Sequence, residues 1–311
     1  MPSQPWLVFH PIYSQLDLPI RHRFPIQKYQ GIRDALQDRG VSEAAFIKPE
    51  PIGLDVLKNT FTPSYVEDLI KGKLSTQEMR RIGFPWSEQL VMRTLNASGG
   101  TVLTAKMALE TGKALNLTGG YHHAFKDFGS GFCMINDLYL AARKMLEHPH
   151  IDTVLIFDCD VHQGDGTAKL AEENNNIFTV SIHGEKNFPH RKQVSDLDFA
   201  LPKGTTNQLF LDTVEQAFEL SINCSKPDAV IYDAGVDVHI DDDLGHLNIT
   251  TSGVYQRDQF VLQRCQELGL PVAAVIGGGY QRDITALVEV HLQLFKAAGA
   301  YNEECPTEQF T

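Results

Sequence analysis

Cysteine, tryptophan and positive charge are all scarce in this 311-residue chain, and each shortage excludes something. The five cysteines, Cys133, Cys159, Cys224, Cys265 and Cys305, are odd in number and contain no CxxC, so no disulfide framework is expected. Lysine and arginine total 27 against 39 acidic residues, and a net charge of −12 argues against a sequence-independent grip on nucleic acid. An acidic surface of this kind would instead tolerate a cationic peptide or a polyamine. No stretch approaches the ~20 apolar residues of a membrane span, and Met1 to Trp6 carry no basic region ahead of an apolar core. A soluble cytoplasmic protein without a membrane partner is expected. Repeats, low-complexity tracts and linkers are missing too, which points to one domain over residues 1–311, its motifs lying in about 90–295.

What is present centres on Asp158-Cys159-Asp160-Val161-His162-Gln163-Gly164-Asp165-Gly166. It follows Thr153 to Phe157, an uncharged run that reads as a strand buried on both faces. Residues i and i+2 project to one side of an extended chain, so Asp160 and His162 can chelate one ion while Val161 points into the core. A carboxylate oxygen and an imidazole nitrogen suit zinc or another borderline divalent metal, with a third protein ligand leaving a position for water. The plain alternative is that this Asp and His cap the following helix. Binuclear hydrolases of the arginase kind need a further Asp two residues after the His; position 164 is Gly, which favours one catalytic metal.

Strand and helix patterns alternate through the second half, predicting a three-layer α/β/α fold with a mainly parallel sheet. Strands are expected at 6–9, 114–117, 153–157, 177–182, 229–232 and 271–276. Helices are expected over 27–39, 54–59, 65–70, 87–109, 137–145, from 165 or 167, over 208–223, from a cap at Thr251 or Ser252 to 268, and from a cap at Asp283 to about 298. The 87–109 helix is expected to break near Ser98-Gly99-Gly100. In such sheets the carboxyl ends of the strands line a shared crevice. Each chemical signal follows an expected strand: His122-His123, the central run, Asp237, and Gly277-Gly278-Gly279-Tyr280.

Asp237 is the candidate third ligand, because the Ala234-Gly235 turn lets backbone approach an ion; taken alone it reads equally as a cap. The neighbouring Asp241, Asp242 and Asp243 form a charge run that reads as a solvated loop. His122 and His123 suit proton transfer, with Asp158 and Asp165 each supplying a partner that fixes one tautomer. Tyr280 could aim its phenol at a developing oxyanion, the glycines giving room and freedom to swing, or it could pack on the rim. Phe132 and Phe188 are either core residues or walls of a narrow apolar channel.

Together, Tyr121-His122-His123-Ala124, Gly129 to Asp137, Asp158 to Gly166, Ala234-Gly235-Val236-Asp237 and Gly278-Gly279-Tyr280-Gln281 resemble the zinc-dependent histone deacetylase family. The details at Ser181-Ile182-His183 and Asn187-Phe188-Pro189 are most similar to bacterial members near class IV. The resemblance implies an arginase/deacetylase fold with zinc on Asp160, His162 and Asp237. It implies that His123, paired to Asp165, is the general base and acid, and that His122, paired to Asp158, tunes it. Tyr280 would polarise the acyl carbonyl. Gly131, Phe132 and Phe188 would line the channel for a lysine stem, and a structural potassium would sit near Asp158, Asp160, His162 and Ser181.

The implied reaction is hydrolysis of an acetyl or other acyl group from the ε-amino group of lysine in proteins or peptides. Small acetylated amines such as acetylpolyamines are the alternative substrates, and a non-catalytic acetyl-lysine binder is a further alternative. Two departures bear on substrate. The Leu74 to Gln89 segment offers no acidic residue at the place where the family grips the substrate backbone, and position 243 is Asp where many relatives have Arg. For the arginine of the family's acetate-exit pocket, Arg23 is the candidate.

Overall fold

In the computed structural model, which describes residues 5–302, the short β-branched and apolar runs form one sheet of eight strands. They are β1 (Trp6–Val8), β2 (Phe46–Ile47), β3 (Lys113–Asn116), β4 (Val154–Asp158), β5 (Ile177–Gly184), β6 (Leu197–Leu201), β7 (Ala229–Asp233) and β8 (Val272–Val275). Their spatial order is β2-β1-β3-β8-β7-β4-β5-β6, and every pairing is parallel. A parallel sheet needs helical crossovers on its faces, and ten α-helices among the described residues supply them. They are α1 (Lys28–Asp38), α2 (Leu54–Thr60), α3 (Pro63–Ile70), α4 (Thr76–Ile82), α5 (Glu88–Thr111), α6 (Asp137–Met145), α7 (Asp165–Ala171), α8 (Asn207–Ser225), α9 (Thr251–Leu268) and α10 (Ile284–Ala297).

The period of two along each central strand divides the core. Leu155, Phe157, Val230 and Tyr232 enter one apolar cluster, and Val154, Ile156, Ala229 and Ile231 enter the other. On the first face Phe157 meets Phe218 of α8 edge to face, with ring centroids 5.2 Å apart. The second face is lined by small residues, Ala105 and Ala108 of α5 and Ala141 and Ala142 of α6, which let these helices lie close to the strands. β4 and β7 are neighbours at the point where the strand order reverses: β5 and β6 continue to one side, β8 and β3 to the other. Such a switch point opens a crevice at the carboxyl ends of the strands.

The expected fold is the observed one, with local corrections. The helix around Ser98-Gly99-Gly100 does not break; α5 is continuous from Glu88 to Thr111. The two glycines are there for approach. A Cβ on Gly99 would stand 2.1 Å from the Glu50 carbonyl oxygen, and one on Gly100 would stand 2.1 Å from the Tyr13 hydroxyl. The cap of α9 is Thr250, whose side chain accepts from Gly253 N, and not Thr251 or Ser252. The helix α4 and the strands β2 and β6 were not expected from the sequence. The signal for α4 was present as Ser75-x-x-Glu78, a capping box in which both reciprocal bonds form. β2 and β6 are the edge strands, the former only two residues long.

Four of the cysteines, Cys133, Cys159, Cys224 and Cys265, are free thiols; Cys305 lies outside the described residues. No helix among the described residues is long and apolar enough to cross a membrane.

Gly99→Ala sets two effects against each other. Alanine gains roughly 0.5–1 kcal/mol of helix propensity, whereas overpacking against rigid backbone costs about 1–3 kcal/mol. The variant is therefore expected to unfold at lower denaturant than wild type; an unchanged or raised midpoint in urea would contradict the packing argument.

Candidate active site

The loops after β3, β4, β7 and β8 meet at the switch point. β4 ends in Asp158, and the chain leaves the sheet so that Asp160 and His162 face the loop after β7, where Asp237 follows the Ala234-Gly235 turn. Asp160, His162 and Asp237 offer ligand atoms all within 4.8 Å of one another, and all three are buried. His162 Nδ1 lies 3.0 Å from Asp160 Oδ1 and 3.0 Å from Asp237 Oδ2. Backbone donors hold the remaining carboxylate oxygens: Gly278 N–H on Asp160 Oδ2 at 2.8 Å, and Val161 N–H on Asp237 Oδ1 at 2.8 Å. Only glycine fits at 278, where a Cβ would stand 2.2 Å from Asp237 Oδ2. Two carboxylates and one imidazole, oriented by backbone and shielded from water, form a donor set suited to a divalent cation.

The electrostatics point the same way. Burial disfavours charge on His162, yet Asp237 and Asp160 outweigh it and lift the imidazole to about 10. Burial, then the charge of Asp160, lifts Asp237 to about 7. Against burial, His122 and His162 hold Asp160 well below the ordinary carboxylate range, so the charges of the three groups are interdependent, and a divalent cation would replace the imidazole proton between the two carboxylates.

Beside this cluster stand two histidine–aspartate pairs. His122 Nδ1 is 2.7 Å from Asp158 Oδ2, and His123 Nδ1 is 2.6 Å from Asp165 Oδ1. The turn after Gly119-Gly120, both with left-handed φ, aims the adjacent imidazoles inward, their Nε2 atoms 3.2 Å apart. Their environments diverge. On His122, burial is overcome by Asp158 and then Asp160, and the group is held well above its ordinary range. On His123, burial and the neighbouring His122 prevail over Asp165 and push it down to about 4. Two histidines side by side are thus biased to opposite protonation states, the arrangement that separates a proton acceptor from an electrostatic neighbour.

Gly131 has φ 49°, and a Cβ there would stand 2.6 Å from His123 Cδ2, so the glycine lets the Gly131-Phe132 turn close on the imidazole. The ring centroid of Phe188, which is partly exposed, is 4.8 Å from that of His123. Phe132 stacks obliquely on Tyr280 at 5.9 Å, and Tyr280 meets His162 edge to face at 6.2 Å. Burial, then Asp160 and Asp237, keeps the Tyr280 phenol well above its ordinary range, hence protonated and able to donate. Ser181 is the register partner of Asp158 on β5, its hydroxyl 3.0 Å from His183 Nδ1. Gly164 packs on Asp158, where a Cβ would stand 2.5 Å from Oδ2, and leaves no room for the extra carboxylate of a binuclear site.

Several residues that matter here were not read from the sequence. Arg257 of α9 is fully buried and donates to Ala234 O and Gly235 O at 3.1 and 2.6 Å, bracing the turn before Asp237, while its partner Asp258 accepts from Tyr232. Asp242 corrects the reading of 241–243 as a solvated loop: it is buried and accepts from Leu244, Gly245 and Tyr280 N–H, so it positions the tyrosine. Arg23 is exposed, and the buried cations near the site are instead Lys28, which donates to Gly277 O and Gly279 O, and Arg93, which donates to Tyr13 O and the Tyr121 hydroxyl. The Gly277–Gly279 segment, expected to swing, is pinned by those bonds. Asp233 is fully buried with no hydrogen-bond partner on either oxygen, its Oδ2 3.9 Å from His122 Nδ1, and burial, then Asp158, pushes it well above the ordinary carboxylate range.

Comparison with known proteins decides the family. A model described as the histone deacetylase domain matches residues 22–295. This chain belongs to the histone deacetylase family. It is 44% identical to an uncharacterized protein of Picosynechococcus over 94% of this chain and 97% of that one. It is 28% identical to histone deacetylase 8 of Xenopus tropicalis over 87% of this chain and 78% of the relative, and 30% identical to the acetoin utilization protein AcuC of Staphylococcus aureus over 67% and 58%. The crystal structure of the HDA15 HD domain has the same fold, with a TM-score of 0.79 at 20% identity over 94% of this chain and 90% of that one. The chain is thus a hydrolase of the histone deacetylase family, with the family's α/β fold and two Asp/His groups that could hold a metal.

Metal uptake tests the cluster directly. After chelation, the wild-type chain is expected to bind one divalent ion, and Asp237→Ala to lose more than the ~10–100-fold in affinity that removal of an outer partner costs. Titration calorimetry showing equal affinity in the variant would remove Asp237 from the site. Arg257→Leu leaves Asp258 buried without its cation and is expected to cost about 3–5 kcal/mol of stability, read as a lowered unfolding midpoint.

Proposed function

We propose that this protein is a metal-dependent deacylase, zinc being the expected ion, that hydrolyses the amide of an ε-acylated lysine in proteins or peptides. The observation that carries the reading is the pair of buried histidine–aspartate dyads set against the Asp160-His162-Asp237 cluster. A divalent ion held by those three residues would polarise the acyl carbonyl and acidify a water.

The chain's own groups supply the rest. With Nδ1 committed to Asp165, His123 presents Nε2 to the water, accepts its proton as the hydroxide attacks the carbonyl carbon, and returns that proton to the departing amine. His122, biased toward the charged form by Asp158, lowers the basicity of His123 and keeps the proton from being trapped there. The Tyr280 hydroxyl donates a hydrogen bond to the oxygen that becomes anionic, from a backbone fixed by Asp242. Gly131, Phe132 and Phe188 flank the lysine stem with apolar surface. A carboxylate and a free amine leave. A structural potassium beside Asp158, Asp160, His162 and Ser181 belongs to the same reading. The free cysteines suit a reducing cytoplasm.

A panel of acetylated and longer-chain acyl-lysine peptides, run on protein whose metal content has been measured, tests the proposal. Absence of turnover on every acylated amine with metal bound would defeat it. His123→Ala is expected to keep the metal and lose activity. Tyr280→Phe is expected to lower kcat by ~10²–10³-fold, the scale of one lost oxyanion donor, with metal and fold retained; wild-type rates would take the tyrosine out of the mechanism.

A further inference from the structure

The segments that carry or pack on Tyr280, Phe132 and Phe188 hold several exposed guanidinium groups. Beside Tyr280 lies a cavity of about 580 Å³ lined by Arg21, Arg23 and Arg282. Arg282 is neutralised by Asp243, its Nε 2.6 Å from Oδ2. Arg21 and Arg23 are exposed, and neither has an ion-pair partner among the described residues. Their segment is fixed against the proposed channel wall: His22 and Phe24 lie 5.9 and 5.3 Å from Phe132 by ring centroid, and Phe24 lies 6.4 Å from Tyr280.

Arg191 follows Phe188, another proposed channel wall, by three residues and is also exposed without a carboxylate partner among the described residues. A third segment, α4, ends against Gly131 and Phe132, whose N–H groups donate to Arg81 O and Ile82 O, and it carries Arg80 and Arg81. Cations at a helix C-terminus also serve the helix dipole, and Arg81 stacks on Phe128 at 4.1 Å. Arg21, Arg23 and Arg191 have no such second role. Against them stand Asp241, Asp243 already paired to Arg282, Glu185 paired to Lys186, and Glu78 in the capping box of α4. Unpaired guanidinia on two segments that carry or pack on the proposed channel walls, in a chain of net charge −12, would set a local field that attracts anions.

Resting on the deacylase reading, we infer that the mouth selects acyl-lysines flanked by acidic side chains. Lysine-rich tails and acetylated polyamines would meet like charge there, contrary to what the acidic net charge alone suggests. Exposed guanidinium–carboxylate pairs are individually weak, so the selection resides in two or three of them acting together.

The test uses metal-loaded full-length protein and two labelled acetyl-lysine peptides identical except that glutamates or lysines flank the acetyl-lysine. The glutamate peptide is expected to have kcat/KM about tenfold higher at low salt, the product of two or three exposed pairs, and the ratio should shrink as salt is raised to about 0.5 M. Arg21→Glu/Arg23→Glu is expected to bring the ratio to one or below, and Arg191→Glu, on the segment after Phe188, to lower it independently. Anisotropy of the same peptides reads binding without turnover. Equal or lysine-favouring kcat/KM and binding in the wild type would overturn the inference. No turnover of either peptide, with the glutamate peptide still bound more tightly, would defeat the deacylase reading and leave the charge selection standing.

Discussion

The architecture depends on placing several carboxylates in a crevice that water does not reach. Asp158, Asp160, Asp165, Asp233 and Asp237 are all at most 5% exposed. Two like charges 4 Å apart repel by about 4 kcal/mol at an effective dielectric of 20, so five anions together would unfold the loops that carry them. The structure answers with nearby positive charge and with neutralisation. His122 and His162 are held toward their charged forms, Asp233 toward its neutral one. Lys28 and Arg257 place cations behind the loops, and although burial drives Lys28 down to about 8, that still leaves it protonated at neutral pH. A divalent cation held by Asp160, Asp237 and a neutral His162 would take the place of the His162 proton in this balance.

Those compensating charges also build the geometry. Arg257 spends its donors on the carbonyls of Ala234 and Gly235, the turn that carries Asp237 away from β7. Tyr232 and Asp258 hold the strand and α9 together at the same level. The cation that offsets the field therefore fixes the position of one of the groups producing it. Loss of either member would be felt twice, once as an uncompensated charge and once as a displaced turn.

Much of this was legible in the sequence because it rests on short-range periodicity. The continuous apolar run of Thr153 to Phe157, the i, i+2 spacing of Asp160 and His162, and the five motifs in order lead to the sheet, the crevice and the family. What escaped was set by contacts distant in the chain. Lys28 reaches Gly277, and Arg257 reaches Gly235; neither neighbour lies within its own element. A signal for Arg257 did exist: Val254, Val261, Leu262 and Cys265 form the buried stripe of α9, and Arg257-Asp258 falls on that stripe where an apolar pair belongs. The expected break in α5 failed for the opposite reason. Helix propensity is a local cost of about 1 kcal/mol per glycine, whereas the need for Gly99 and Gly100 comes from Glu50 and Tyr13 outside the helix.

The Gly277–Tyr280 segment shows how far sequence and structure can diverge over one motif. Three consecutive glycines suggest a hinge. Here they are conformationally specialised, with φ of 58° at Gly277 and 153° at Gly279, and their polar groups are taken: Gly278 N–H by Asp160, Gly277 O and Gly279 O by Lys28, Gly278 O by Val236 N–H. Asp242 takes the next N–H, that of Tyr280. Glycine serves there to bring the backbone within hydrogen-bonding distance of the ligand carboxylates, a close approach that any side chain would block. Tyr280 therefore extends from a backbone held by Asp242, its ring edge to face with His162 of the Asp160–His162–Asp237 group.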